Sequence, residues 1–219
     1  MKVTNLSPQI LLFEGYTQKE LALTFFRIEE FYESPLSGLN GQKFSVFDFL
    51  YQSMDIDGNI DYFSFWAGFN FPGHIVKDWW NLHSDWTPYE EQLIRQIRLN
   101  VDTGKKFYVI GALEKDTETI DHELAHALYY MDNEYEKEIE DLNQEMIVFH
   151  LDQLQKMEDY LLSIGYSKKV FYDELQAYLI TEPKEALVED FGVDYDKIEY
   201  MILRYKEVFE KYKNQLNIA

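Results

Sequence analysis

The sequence predicts an α+β fold, a small mixed sheet lobe followed by a mainly helical lobe. Three observations carry this expectation. The composition changes near residue 113: residues 1–113 hold 22 of the 37 aromatics and all four tryptophans, with 14 acidic and 9 basic side chains, whereas residues 114–219 hold 15 aromatics with 26 acidic and 11 basic ones. The run Phe107-Tyr108-Val109-Ile110-Gly111-Ala112-Leu113 is dense in β-branched and aromatic residues, which suit a pleated, buried surface. From Thr117 onward, apolar positions recur at helical spacing. No Pro/Gly/Ser linker separates 1–113 from 114–219, so the two lobes are expected to share one core.

In chain order, Gln9–Phe13 reads as a short strand. Thr17 followed by Glu20 has the form of a capping box and opens a helix to about Glu33. Its apolar positions are Leu21, Phe25, Ile28 and Phe31 or Tyr32, and Pro35 with Gly38 ends it. Ser45 with Asp48 predicts a second, short helix. Residues 55–66 read as a turn leading into a strand. Thr87-Pro88-Tyr89-Glu90 supplies an N-cap, a proline at the first helical position and an acid at the third. The helix it opens carries Leu93, Ile94, Ile97 and Val101. Gly104 then leads into the strand 107–113. Helices are predicted over about Thr117–Met131, Glu134–Ser163, Lys168–Ile180 and Asp194–Gln215, with Gly165 and Pro183 as punctuation.

Composition narrows the function classes. The chain of 219 residues has no cysteine, so disulfides, thiolate chemistry and cysteine-ligated metals are excluded. This is compatible with a cytoplasmic protein. No apolar run approaches the roughly 20 residues of a membrane span, and the N-terminus lacks a signal-peptide core. The net charge is −20. Duplex binding needs cations to displace counterions, so nucleic acid is not an expected partner; an anionic membrane surface is disfavoured by the same repulsion.

One motif carries chemistry. Residues 122–126 are His-Glu-Leu-Ala-His. Two histidines four apart lie on one helix face, so both imidazoles can reach one ion. Glu123 stands beside that ion rather than on it, where it can take a proton from an activated water. Zinc suits imidazole and carboxylate donors with one position left open.

This pattern resembles the zincin metallopeptidases, whose signature is a His-Glu-x-x-His helix. The resemblance covers roughly residues 105–180 and leaves residues 1–100 unassigned. It implies hydrolysis of peptide bonds in a peptide or protein substrate, with Glu123 as general base. It also implies that Phe107–Leu113 is an edge strand along which an extended peptide binds. After His126 the sequence Ala-Leu-Tyr-Tyr-Met-Asp lacks the glycine and third histidine of metzincins, and deformylases need a cysteine ligand. The gluzincin type is left, with a later glutamate as third ligand.

Two glutamates compete for that place. Glu145 lies 19 residues after His126, a spacing used by one aminopeptidase group, but without the Asn-Glu pair of many gluzincins. If the chain turns near Met131–Asn133, an antiparallel helix pair offsets it from His126 by roughly 9 Å. Glu174 shares a helix face with Phe171, Leu175 and Tyr178. A carboxylate on an apolar stripe needs a partner, and a metal is one. Glu174 is therefore the favoured ligand, with Glu145 as the alternative. Tyr178, one turn beyond, is either an oxyanion donor or a buried helix tyrosine, and Asp121 or Asp173 is a candidate to orient an imidazole. His74, His83 and His150 read as structural. Asp55-x-Asp57-Gly58-Asn59 reads as a tight turn, because its glycine and acid positions miss the calcium-loop pattern. The cluster Trp66–His74 with Trp79-Trp80 reads as core and loop. The competing class is a non-catalytic helical interaction module with a structural metal or none; the oligomeric state is open.

Overall fold

A computed structural model describes residues 1–34, 38–64 and 66–216. The chain divides into two compact units, Met1–Ile120 and Asp121–Ala219. A small mixed sheet precedes a mainly helical region, the α+β arrangement expected.

The first unit holds four strands, β1 (Lys2–Ser7), β2 (Ile10–Gly15), β3 (Gly68–Pro72) and β4 (Tyr108–Leu113), in the order β1-β2-β4-β3. β1 and β2 form a hairpin pairing Val3 with Phe13. β2 runs parallel to β4, Leu11 beside Val109, and β3 runs antiparallel to β4, Phe71 beside Val109. Helices α1 (Gln18–Glu33), α2 (Val46–Ser53), α3 (Gly73–Leu82) and α4 (Pro88–Asn100) complete the unit. Aromatic rings dominate its core. Phe25 of α1 packs against Phe13, Phe69 and Phe71 at centroid distances of 5.3 to 5.9 Å. The glycine of β4 makes room for it, since a Cβ on Gly111 would lie 2.4 Å from the Phe25 ring.

The interior place of β4 corrects one expectation. Phe107–Leu113 does not contain an edge strand, because β4 is paired on both sides; the edges are β1 and β3. Two further readings of this unit change. The described residues of 55–66 hold no strand, and β3 starts only at Gly68: Asp55 accepts from the Asp57 and Asn59 amides in a tight turn with Gly58 at φ 84°. A short 3-10 turn, Tyr62–Ser64, follows, and Phe65 lies outside the described residues, as does the helix-ending Pro35. Tyr62 and Phe63 instead pack their rings around Phe49. The Thr17–Glu20 box is half formed. Thr17 accepts from the Glu20 amide, while the Glu20 carboxylate takes the Tyr16 amide and the Met1 ammonium. Full boxes cap α2 at Ser45–Asp48 and α4 at Thr87–Glu90.

The described residues of the second unit form helices joined by turns. The helix α5 (Thr117–Met131) begins just before the division between units and is followed by α6 (Asn133–Phe149), α7 (Leu151–Ser163), α8 (Phe171–Thr181), α9 (Lys184–Glu189) and α10 (Tyr195–Lys213). Only Asp132 separates α5 from α6, and its carboxylate caps α6 at the amides of Glu134 and Tyr135. The long helix expected over 134–163 is two helices meeting at His150 (φ −136°, ψ 32°). The His150 amide still bonds Met146 and its carbonyl still accepts from Leu154. One residue thus closes the first helix and opens the second, and the apolar periodicity on either side does not register the break. Ile139, Leu142, Met146, Leu154, Met157 and Leu161 are buried, whereas Phe149 is exposed.

Candidate metal centre

Two helices of the second unit supply the centre. α5 presents His122 and His126 one turn apart, their rings 5.0 Å between centroids. α8 presents Glu174, held in the first turn, where the helix dipole favours an acid. Glu174 Oε2 lies 3.9 Å from His122 Nε2 and 3.8 Å from His126 Nε2. Donors about 2.1 Å from a tetrahedral ion stand roughly 3.4 Å apart, so a small inward adjustment closes this trio on zinc. Among the described residues these three form a group able to hold a metal ion, their ligand atoms all within 4.8 Å of one another.

The outer nitrogens of both rings are anchored, which fixes the tautomers. Thr181 Oγ1 donates to the Ala177 carbonyl at 2.8 Å, so towards His122 Nδ1, at 3.2 Å, its oxygen is an acceptor and the ring nitrogen donates. His126 Nδ1 donates to Asp173 Oδ1 at 2.8 Å. Each Nε2 is left facing Glu174, the arrangement that partners of a metal-binding imidazole impose.

Electrostatics point the same way. Burial, with the neighbouring His126, lowers the pKa of His122 to about 3, so its ring is neutral. Burial pulls His126 down as well, but Asp173, Glu174 and Glu123 outweigh it and raise that group to about 10. The carboxylates therefore favour one positive charge where the two Nε2 atoms and Glu174 converge, and a divalent cation meets that demand. A neutral His122 ring, a His126 ring whose inward proton a cation can displace, and an anionic oxygen match the ligand chemistry of zinc. The residues present fit the metal.

Glu123 is buried on α5 between the two histidines and interacts electrostatically with His126 and with Tyr166. Tyr178 sets its ring edge-on to His122 at 5.0 Å. Its hydroxyl meets that of Tyr166 at 3.3 Å. Burial, then the neighbouring Glu174 and Glu182, raises Tyr178 to about 12 against the lowering effect of the Tyr166 hydrogen bond. Tyr166 is pushed well above the usual phenol range, first by burial and then by Glu174, Tyr178 and Glu123. Both are phenols carrying a proton to donate.

The other sequence candidates lie elsewhere. Glu145 is ion-paired with Arg204 of α10, and Asp121 with Lys213 at 2.7 Å; of the two aspartates, Asp173 is the one that holds an imidazole. His83 is buried in the first unit, His74 is exposed on α3, and His150 marks the helix break. Thr181 and Tyr166 escaped the sequence reading. Thr181 is one turn past Tyr178 on the same face, a signal present in the spacing. Tyr166 follows Gly165 (φ 109°), which ends α7 so that the Tyr166 amide bonds the Leu161 carbonyl; only the Gly-Tyr pair hints at it. Comparison with protein-family models, curated proteins and solved structures finds no match for the chain.

Proposed function

We propose that this protein is a zinc-dependent metallopeptidase of the zincin kind, with His122, His126 and Glu174 as ligands and Glu123 as general base. One observation carries the reading: two imidazoles, each held at its outer nitrogen, and a carboxylate converge, with a buried glutamate beside them. Three protein donors leave one of four zinc positions for substrate or water, whereas a structural site is usually closed by four. This favours the enzyme over a structural clip. Zinc bound there supplies a Lewis acid that acidifies water and polarises a carbonyl. Glu123 accepts the proton of the attacking water and returns it to the leaving amine. When Tyr166 is the donor of the pair, the Tyr178 hydroxyl is left to donate to the oxygen on which negative charge develops. Asp173 and Thr181 keep the rings aimed throughout. The substrate is a peptide or protein. Zinc as the ion is supported by the donor set, and a cytoplasmic location by the cysteine-free chain.

Zinc titration and turnover of a peptide library test this together. Glu123→Gln should keep about one zinc per chain while hydrolysis falls roughly 10²–10⁴-fold, the range for losing a general base. Glu174→Ala should lose zinc under mild chelation and Glu145→Ala should retain it. Zinc lost by Glu123→Gln as readily as by His122→Ala would remove Glu123 from its role. A zinc-loaded wild type that cleaves no peptide would leave the clip.

A further inference from the structure

We infer that Gln176 and Tyr135 are positioning residues for the ligand His126, acting through Asp173. The inference rests on the metal reading of the centre and is independent of the hydrolytic one.

The bonds form one line across three helices. Tyr135 at the start of α6 donates its hydroxyl to Gln176 Oε1 at 2.8 Å. Gln176 on α8 donates through Nε2 to Asp173 Oδ1 at 3.3 Å. The same Oδ1 receives His126 Nδ1 from α5. Tyr135 and Gln176 are fully buried, while the Asp173 side chain is one-third exposed.

Chemistry sets the direction of this line. A flipped Gln176 amide would turn its carbonyl onto the Asp173 carboxylate, two acceptors 3.3 Å apart, and would strip the buried Tyr135 O–H of its acceptor. Tyr135 thus fixes the amide, and the amide fixes which Asp173 oxygen faces inward. Without that bond a partly exposed carboxylate is free to turn towards water. His126 Nδ1 would then lose the acceptor that keeps its Nε2 lone pair on the metal. The neighbouring pair of Tyr205 and Asn143 is an internal control. Its hydrogen bond of 2.7 Å is equally buried in the same unit but leads to no ligand.

The test uses the full chain and zinc alone, with competition against a chromophoric chelator. The double variant Tyr135→Phe/Gln176→Met removes both buried partners, so neither leaves an orphan group and folding is spared. Its zinc affinity is expected to fall about tenfold or more, while its metal-free thermal midpoint stays near that of Tyr205→Phe. Tyr205→Phe should bind zinc within about twofold of wild type, since a bond outside the line has no route to the ligand. The visible absorption of the cobalt-loaded double variant should also shift, reporting a changed ligand geometry. Zinc affinity of the double variant equal to wild type, or an equal loss in Tyr205→Phe, overturns the inference. Wild-type protein that takes up no zinc overturns it together with the metal reading, and so separates the two failures.

Discussion

His83 shows what a buried imidazole looks like when it serves packing. Its Nδ1 donates to the Trp79 carbonyl at 2.9 Å and its Nε2 accepts the Phe44 amide at 3.2 Å, among the rings of Phe31, Phe44 and Trp79. Burial lowers its pKa. Between that lowered value and the ordinary value of about 6.5, the unfolded chain binds the extra proton. Its contribution to stability is therefore complete above about pH 6.5 and lost as pH falls through the folded value. Urea midpoints measured from pH 7 to 5 should fall more steeply for wild type than for His83→Gln; parallel profiles would sink this assignment. His122 and His126 differ from it in facing a common carboxylate. Their spacing made them legible in the sequence, and an acid on an apolar stripe made Glu174 legible. Asp121 and Asp173 were indistinguishable there, because only the packed helices decide which carboxylate meets an imidazole and which meets Lys213. Tyr166 was invisible because a glycine turn delivers it.

Among the elements, α8 supplies the most residues of the candidate site. Asp173, Glu174, Gln176, Tyr178 and Thr181 lie on it, and its apolar stripe announced it. The capped starts of α2 and α4 were equally clear, since each cap is a local device of four residues. Sheet topology was less so. β1 is short and polar, and the alternation of Gly68–Pro72 is masked by flanking aromatics. An unbroken apolar run such as 107–113 marks a strand buried on both faces; the edge position was suggested by resemblance and not by the run itself. The interior place of β4 makes Gly111 a packing residue. Gly111→Ala should cost about 1–3 kcal/mol, the usual penalty for overfilling a packed core, read as a lowered denaturation midpoint. An unchanged midpoint would mean that Phe25 does not press on this strand.

For the whole molecule the salient quantity is charge. The second unit carries 23 acidic against 10 basic residues, and the chain −20 in all. Such a field concentrates cations and steers basic ligands. Turnover of basic peptides should exceed that of acidic peptides of equal length at low salt and converge with them at high salt, where screening shortens the field's reach. Equal rates at low salt would leave the charge as a matter of solubility. The helical order of this unit has one more consequence, for the timing of assembly. The histidine pair comes into register as soon as α5 winds, through local contacts alone. Its partners come later, since His126 and Asp173 stand 47 residues apart and His122 and Thr181 stand 59 apart. Closing a loop of that length consumes chain entropy that only the packing of the intervening helices restores. A nascent chain therefore offers a metal two donors first and the third only when α6 and α7 are in place. On the metal reading proposed above, firm uptake of the ion would report that the unit has finished folding.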